Sequence, residues 1–157
     1  MASKSAGILA YRAHHGRIEV LLVHPGGPFW RNKDLGAWSI PKGEFGGDES
    51  AQQVARREFF EELGIELSVA LTPLGEIRQR GGKIVEAFAA DFDVDVTTIR
   101  SNSFEIGWPP RSGHRQSFPE VDRACWFDLP TAHQKINEAQ RTLLDRLAEI
   151  AKPTDSG

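Results

Sequence analysis

The chain has 157 residues with 19 basic and 22 acidic side chains, a net charge of −3. That length suits one domain with a single sizeable core, and the acidic balance gives no support to a protein that coats nucleic acid, although a local patch can still meet a small phosphorylated ligand. The single cysteine, Cys125, excludes an intrachain disulfide and agrees with a reducing compartment. No apolar run approaches the ~20 residues needed to span a bilayer, and the opening residues lack the core of a signal peptide. The expectation is a soluble cytoplasmic protein, a single domain over residues 1–157 with an ordered core from about 5 to 151 and a frayed tail from Lys152 to Gly157.

In chain order, Gly7 to Tyr11 and Ile18 to His24 read as strands joined by a polar turn, Arg12 to Arg17. Pro25-Gly26-Gly27-Pro28 ends the second strand. A loop from Phe29 to Gly36 leads to the short apolar piece Ala37 to Ile40, then to a Gly-rich loop, Pro41 to Gly47. Ser50-x-x-Gln53 is a capping-box pattern that starts a helix. Ala51, Val54, Ala55, Phe59 and Leu63 recur at helical spacing, and Gly64 suits the stop. Leu67 to Leu74, Glu76 to Arg80 and Lys83 to Val94 read as strands, the last two joined at Gly81-Gly82. Thr97 to Pro119 reads as a long functional or partly ordered loop. Ala124 to Leu129 is another strand. Asn137-x-x-Gln140 is a second capping box opening a helix whose Leu143, Leu144, Leu147 and Ile150 share a side. Interleaved strands and helices imply an α/β (α+β) fold with helices packed on a mixed sheet.

The chemistry is concentrated in Gly43 to Ile65, GEFGGDESAQQVARREFFEELGI. On a helix, Glu58, Glu61 and Glu62 stand at i, i+3 and i+4, so three carboxylates share one surface. Alone they repel; a hard divalent cation such as Mg²⁺ relieves the repulsion and bridges carboxylates to substrate phosphates. Arg57 is placed to pin Glu49 by a bidentate hydrogen bond. An isolated glutamate triplet would read as a solvated helix face, but these residues belong to a longer pattern.

That pattern resembles the signature of the Nudix hydrolases, G-x5-E-x7-R-E-U-x-E-E-x-G-U with U bulky and apolar. Gly43, Glu49, Arg57, Glu58, Glu61, Glu62 and Gly64 fill its fixed positions, and Phe59 and Ile65 the apolar ones. The resemblance implies an α/β/α sandwich around a central mixed β-sheet, and Mg²⁺ or Mn²⁺ bound by Glu58, Glu61 and Glu62 with the backbone carbonyl of Lys42. It implies a structural role for Glu49 and Arg57, and water attack on phosphorus with Glu58 as a candidate general base. A further acidic residue is expected in a loop after the helix. Glu120, six residues before Trp126, is the leading candidate and equally reads as a surface carboxylate; Glu105 and Glu86 are weaker.

The Glu120–Trp126 spacing resembles asymmetric dinucleoside-tetraphosphate hydrolases, and Trp38 to Glu44 resembles those as well as diphosphoinositol and MutT-type members. Dinucleoside polyphosphates therefore lead as substrates, followed by nucleoside triphosphates of the MutT type, with diphosphoinositol phosphates, sugar nucleotides and RNA 5′ ends left open. A catalytically silent nucleotide sensor would be expected to break the signature, which here is intact. Lys42 reads either as a phosphate contact or as a solvated loop lysine. Trp108, Arg111, His114 and Arg115 suit a base-stacking, phosphate-reading segment, or an ordinary surface loop. Trp30, Phe29 and Tyr11 could line a base pocket or simply pack. His14 and His15 read as solvated, His24, His114 and His133 as too dispersed for zinc, and Cys125 as core. The expected partner is a small nucleotide, with no membrane and no stable nucleic-acid partner, for a monomer or homodimer.

Overall fold

Residues 3–152 are described by a computed structural model; of the expected tail, 153–157 lies outside the described residues. The first two strands are longer than their apolar runs. β1 (Lys4–His14) and β2 (Arg17–Pro25) form a hairpin closed at His15-Gly16. Both turn residues adopt positive φ, 51° and 73°, which matches the twist of the flanking strands. The turn is therefore two residues, and Arg12, Ala13, His14 and Arg17, read as turn from sequence, are paired in the ladder.

The remaining elements are β3 (Lys42–Glu44), α1 (Ala51–Leu63), β4 (Thr72–Arg78), β5 (Ile84–Asp91), β6 (Ser103–Gly107), β7 (Arg115–Pro119), β8 (Val121–Asp128), α2 (Leu129–Lys135) and α3 (Arg141–Ile150). The main sheet runs β4-β5-β1-β2-β8, with β3 also paired to β1. β1 is parallel to β5 and the other pairs are antiparallel, so the sheet is mixed as expected.

Alternation along the strands divides the core into two layers. Ala6, Ile8 and Ala10 of β1 and Leu21 and Val23 of β2 join Val54, Ala55, Phe59 and Leu63 of α1. Leu9, Val20 and Leu22 join Trp38, Ala132 of α2, and Leu143, Leu144 and Leu147 of α3. Phe59 and Leu63 are fully buried, each contributing roughly 1.5–3 kcal/mol relative to exposure. Ile150, expected on the buried side of α3, is half exposed at its last turn.

β1 and β2 pair only near their hairpin, and the gap beyond positions the site. Tyr11 to His14 meet Arg17 to Val20, but Ser5 to Gly7 pair instead with β3. The Ile8 amide donates to the Pro41 carbonyl at 3.1 Å, and Val23 and Ser39 exchange two backbone hydrogen bonds of 2.8 and 3.0 Å. Segment 39–44 is thus a wedge between two diverging strands. Gly7 permits the approach, since a Cβ there would lie 2.5 Å from the Pro41 oxygen.

Four expected elements change. Leu67 to Leu71 lies outside any strand, and the two strands expected at 67–74 and 76–80 are one, β4, with a register shift between Pro73 and Gly75. Lys83 to Val94 contracts to β5. The long loop 97–119 contains the β6–β7 hairpin, a separate two-stranded sheet. At the second capping box, Asn137 Oδ1 does accept, from the Ala139 amide, and opens a 3-10 turn at Glu138–Gln140; the Gln140 side chain goes elsewhere. No helix among the described residues is long and apolar enough to cross a membrane.

Candidate active site

The acidic helix is held at both ends. Ser50 accepts from the Gln53 amide at 3.2 Å while Gln53 accepts from the Ser50 amide at 2.8 Å, a reciprocal cap. Gly64 closes α1 in the left-handed region, φ 72°, its amide bonded to the Phe60 carbonyl. With Val54, Ala55, Phe59 and Leu63 fixed against the sheet, Glu62 and Glu58 face the wedge at Lys42 and Gly43, and Glu61 lies beside Arg57.

Arg57 ties the preceding loop to the helix. Its Nε and Nη2 donate to the two Glu49 oxygens at 2.7 and 2.9 Å, a bidentate pair, and Nη2 also reaches the Glu44 carbonyl at 3.1 Å. The Gly46 amide donates to Glu49 at 3.1 Å. Nη1 of Arg57 lies 2.9 Å from Glu58 and 3.4 Å from both Glu61 oxygens. Glu62 is buried and accepts from the Lys42 amide at 2.9 Å, joining α1 directly to the wedge. Gly43 makes room for Glu58: a Cβ there would lie 2.0–2.3 Å from the Glu58 carboxyl atoms.

Burial and neighbouring carboxylate charge disfavour ionisation of Glu58 and Glu62. Burial, then the charge of Glu61, pushes Glu58 above the usual carboxylate range; burial, then Glu58, pushes Glu62 well above it. Glu120 lies between β7 and β8, with its amide on the Asn102 carbonyl and its carbonyl accepting from Gly26. Though exposed overall, its carboxyl is raised by partial desolvation and then by Glu61. Arg57 is the cation presently shared by Glu58 and Glu61, and among the described residues no three His, Cys, Asp or Glu side chains converge as a ready cage. The donor set nevertheless fits a hard cation of the Mg²⁺ type, which needs only one or two carboxylates alongside water and substrate phosphates. Several acidic oxygens with raised proton affinity and a glycine cradle under one of them provide that.

A cavity of about 240 Å³ adjoins the carboxylates, with Lys42, Glu62, Glu120, Trp30, Ser39 and Gln140 among its walls. Lys42 lines this cavity and is partly buried; burial pulls its ammonium below the usual lysine value, against the opposing charge of Glu62. Trp108, Arg111 and Arg115 are not in these walls. Trp108 stands edge-on to Phe29 with ring centroids 5.5 Å apart, while Arg111 is exposed between β6 and β7 and Arg115 is exposed at the start of β7. Of the weaker acidic candidates, Glu86 pairs with Lys4 at 3.0 Å and Glu105 is exposed on β6. Tyr11 packs in the α2–α3 layer, as does half-buried Cys125. His24, fully buried, contacts Asp122 and the Lys33 carbonyl, anchoring the loop that carries Trp30.

Sequence reasoning missed the polar floor of the cavity. Gln140, fully buried, accepts from the Ile40 amide at 3.0 Å and donates to Ser39 Oγ at 2.9 Å and Gln79 Oε1 at 3.2 Å. Gln79 and Asn137 also line the cavity. The only available sequence signal was a glutamine at a capping position.

The comparisons agree with this geometry. A family model described as NUDIX domain matches residues 1–147. The chain belongs to the Nudix family. It is, by class, a Nudix hydrolase, a pyrophosphohydrolase. Its α/β/α sandwich superposes on the C. elegans Ap4A hydrolase in a binary complex with a TM-score of 0.66 at 24% identity, covering 94% of this chain and 96% of that one. The NUDIX domain of Shewanella oneidensis NrtR, complexed with ADP ribose, gives 0.65 at 17% identity over 95% and 88%. A MutT NUDIX hydrolase from Burkholderia pseudomallei gives 0.61 at 22% over 94% and 98%. At these identities the likenesses concern the Nudix fold alone. No curated protein matches the sequence.

Proposed function

We propose that this Nudix hydrolase cleaves a phosphoanhydride bond of nucleoside polyphosphates, dinucleoside polyphosphates foremost, with a divalent cation, Mg²⁺ or Mn²⁺. The observation that carries this reading is the set Glu58, Glu62 and Glu120, carboxyls whose proton affinity is raised by burial and by neighbouring carboxylate charge, that of Glu61 included, beside a cavity bearing Lys42. Glu58, Glu61 and Glu62 would hold the cation, with the Lys42 carbonyl and Glu120 as further oxygens. Bound there, it would supply positive charge against the phosphates and help ionise an attacking water.

Each residue then has a physical task. Glu58, half-buried with a raised proton affinity, accepts the proton of the attacking water. Glu49 and Arg57 fix the loop against α1. Lys42 offers a point charge to a phosphate. Trp108, which stands against Phe29, gives an aromatic face, and Arg111 and Arg115 of the same segment contact phosphate. The choice of dinucleoside polyphosphates rests on the Trp38 to Glu44 stretch and the Glu120–Trp126 spacing.

The test is a screen of Ap4A, nucleoside triphosphates and ADP-ribose with excess Mg²⁺, products separated by chromatography, beside a Glu61→Gln, Glu62→Gln variant. Ap4A cleaved to ATP and AMP, with turnover lost in the variant, supports the reading. Cleavage of triphosphates alone moves the enzyme to the MutT type. Tight nucleotide binding with no turnover of any compound identifies a silent sensor.

A further inference from the structure

The catalytic cavity is too small for an extended substrate. At about 240 Å³ it falls below the roughly 300–1,000 Å³ usual for small-molecule sites. A second cavity of about 820 Å³ lies beside it, on the side away from the carboxylates. Gly36, Gln79 and Asn137 line both, so the two form one groove running from Glu62 and Glu120 past a polar waist.

The far end of this groove is cationic and partly apolar. Arg80, in the turn between β4 and β5, and Arg141, at the start of α3, both line it, against one carboxylate, Glu138. Neither arginine has an ion pair among the described residues. Arg141 is aimed by its Nε, which donates to the His133 carbonyl at 2.8 Å, leaving its two terminal nitrogens for another acceptor. Leu35, on the same wall, is 70% exposed and takes no part in the core. At the waist, the Gln79 carbonyl oxygen is occupied by Gln140 and the Asn137 carbonyl oxygen by the Ala139 amide, so each carboxamide keeps its NH₂ as the free polar end. Two guanidiniums, two amide donors and an exposed apolar side chain suit a ligand that joins phosphate, polar edges and a flat apolar face.

We infer that the groove beyond Gln79 and Asn137 is a subsite for the distal nucleotide of a dinucleoside polyphosphate, with Arg80 and Arg141 as its phosphate contacts. This rests on the substrate reading above and adds where the second nucleotide goes. A triphosphate, having one nucleoside, lacks the second nucleotide that would occupy the subsite. Arg80 and Arg141 are then specificity residues, acting on KM for long substrates more than on the chemical step.

The experiment compares kcat/KM for Ap4A and ATP in the wild type, Arg80→Glu and Arg141→Ala, with melting temperature as a folding check. The expected result is a loss for Ap4A that exceeds the loss for ATP by about ten-fold, or ~1.4 kcal/mol, expressed in KM. Arg80 carries no described structural contact, so its variant remains informative even if Arg141→Ala weakens the α2–α3 junction. Equal losses for both substrates, or no loss in Arg80→Glu, overturn the subsite while leaving the reaction class standing. A wild type that turns over ATP and no dinucleoside polyphosphate overturns the substrate reading, and the subsite with it.

Discussion

Gly43→Ala separates the position of a carboxylate from its presence. The added Cβ would lie 2.0 Å from Glu58 Cδ, whereas ordinary contact begins at 3.4 Å, so the carboxyl must retreat by about 1.4 Å along that line if the backbone holds. The backbone is constrained: Gly43 pairs with Ala6 in the ladder, and the neighbouring Lys42 amide is bonded to Glu62. Glu58 therefore swings, and its 2.9 Å contact with Arg57 is lost or rebuilt. A misplacement of about 1 Å at a reacting group costs on the order of 10²-fold, so kcat should fall about 100-fold, comparable to Glu58→Gln. Stability should suffer less. One weakened charge-assisted hydrogen bond costs about 1.5–3 kcal/mol at most, or a melting shift of roughly 3–12 °C at about 2–4 °C per kcal/mol, with Arg57 still held by Glu49. Single-turnover hydrolysis with saturating Mg²⁺ and substrate, alongside calorimetry, measures both. Wild-type turnover in Gly43→Ala would refute the reasoning, because either the loop yields freely or the location of Glu58 is irrelevant to the reaction.

Other substitutions probe the remaining contacts. Glu120→Gln should cut turnover more than about ten-fold with an unchanged melting temperature; full activity removes it from the site. Gln140→Leu leaves the buried Ile40 amide without its acceptor, costing about 1–3 kcal/mol and raising KM as the wedge loosens; calorimetry and steady-state kinetics show whether both effects occur. Ser50→Ala removes the α1 cap and should cost about 1 kcal/mol, a shift near 2–4 °C, with kcat retained. Asp34 accepts from Trp38 Nε1 and pairs with Lys135, which together hold its carboxyl below the usual range, Lys135 first. A lowered folded value means the unfolded chain takes up the proton first, so this contribution is present above the ordinary carboxylate range and is lost as pH falls through the lowered value. Asp34→Asn should therefore lower the melting temperature at neutral pH and narrow its gap to wild type in acid; a constant gap at all pH values contradicts the assignment.

Legibility followed the range of the interactions. The α1 cap, its left-handed stop and its apolar stripe are set within a few residues, so the sequence pattern locates them along with the Arg57–Glu49 pair. β3 has no such signal: Lys-Gly-Glu becomes strand because β1 and β2 diverge and leave unpaired backbone that this segment satisfies. The β6–β7 hairpin is hidden because β6 alternates over only five residues, with Phe104 and Ile106 inward, while β7 offers Phe118 alone among polar side chains and a proline. α2 buries Ala132 alone and is too short for a helical stripe, although Asp128, which accepts from the Thr131 amide, caps it.

The same distinction explains what the site withheld. Gln140 reaches Ser39 and Ile40 across about a hundred residues of chain, and nothing local to either end announces the contact. Its position matters because of what it faces. Glu62, from the α1 layer, takes the Lys42 amide, and Gln140, from the α3 end, takes the Ile40 amide two residues earlier. The wedge is therefore clamped by polar side chains from both helical layers, and neither clamp is an apolar contact that could slide. An apolar residue of equal size at position 140 would fill the space but leave the Ile40 amide unbonded, and the segment would lose the constraint that sets Lys42 against Glu62. This accounts for a fully buried glutamine beside an otherwise apolar layer: the fold spends a polar side chain there to fix a backbone, and that backbone carries the lysine proposed to meet a phosphate.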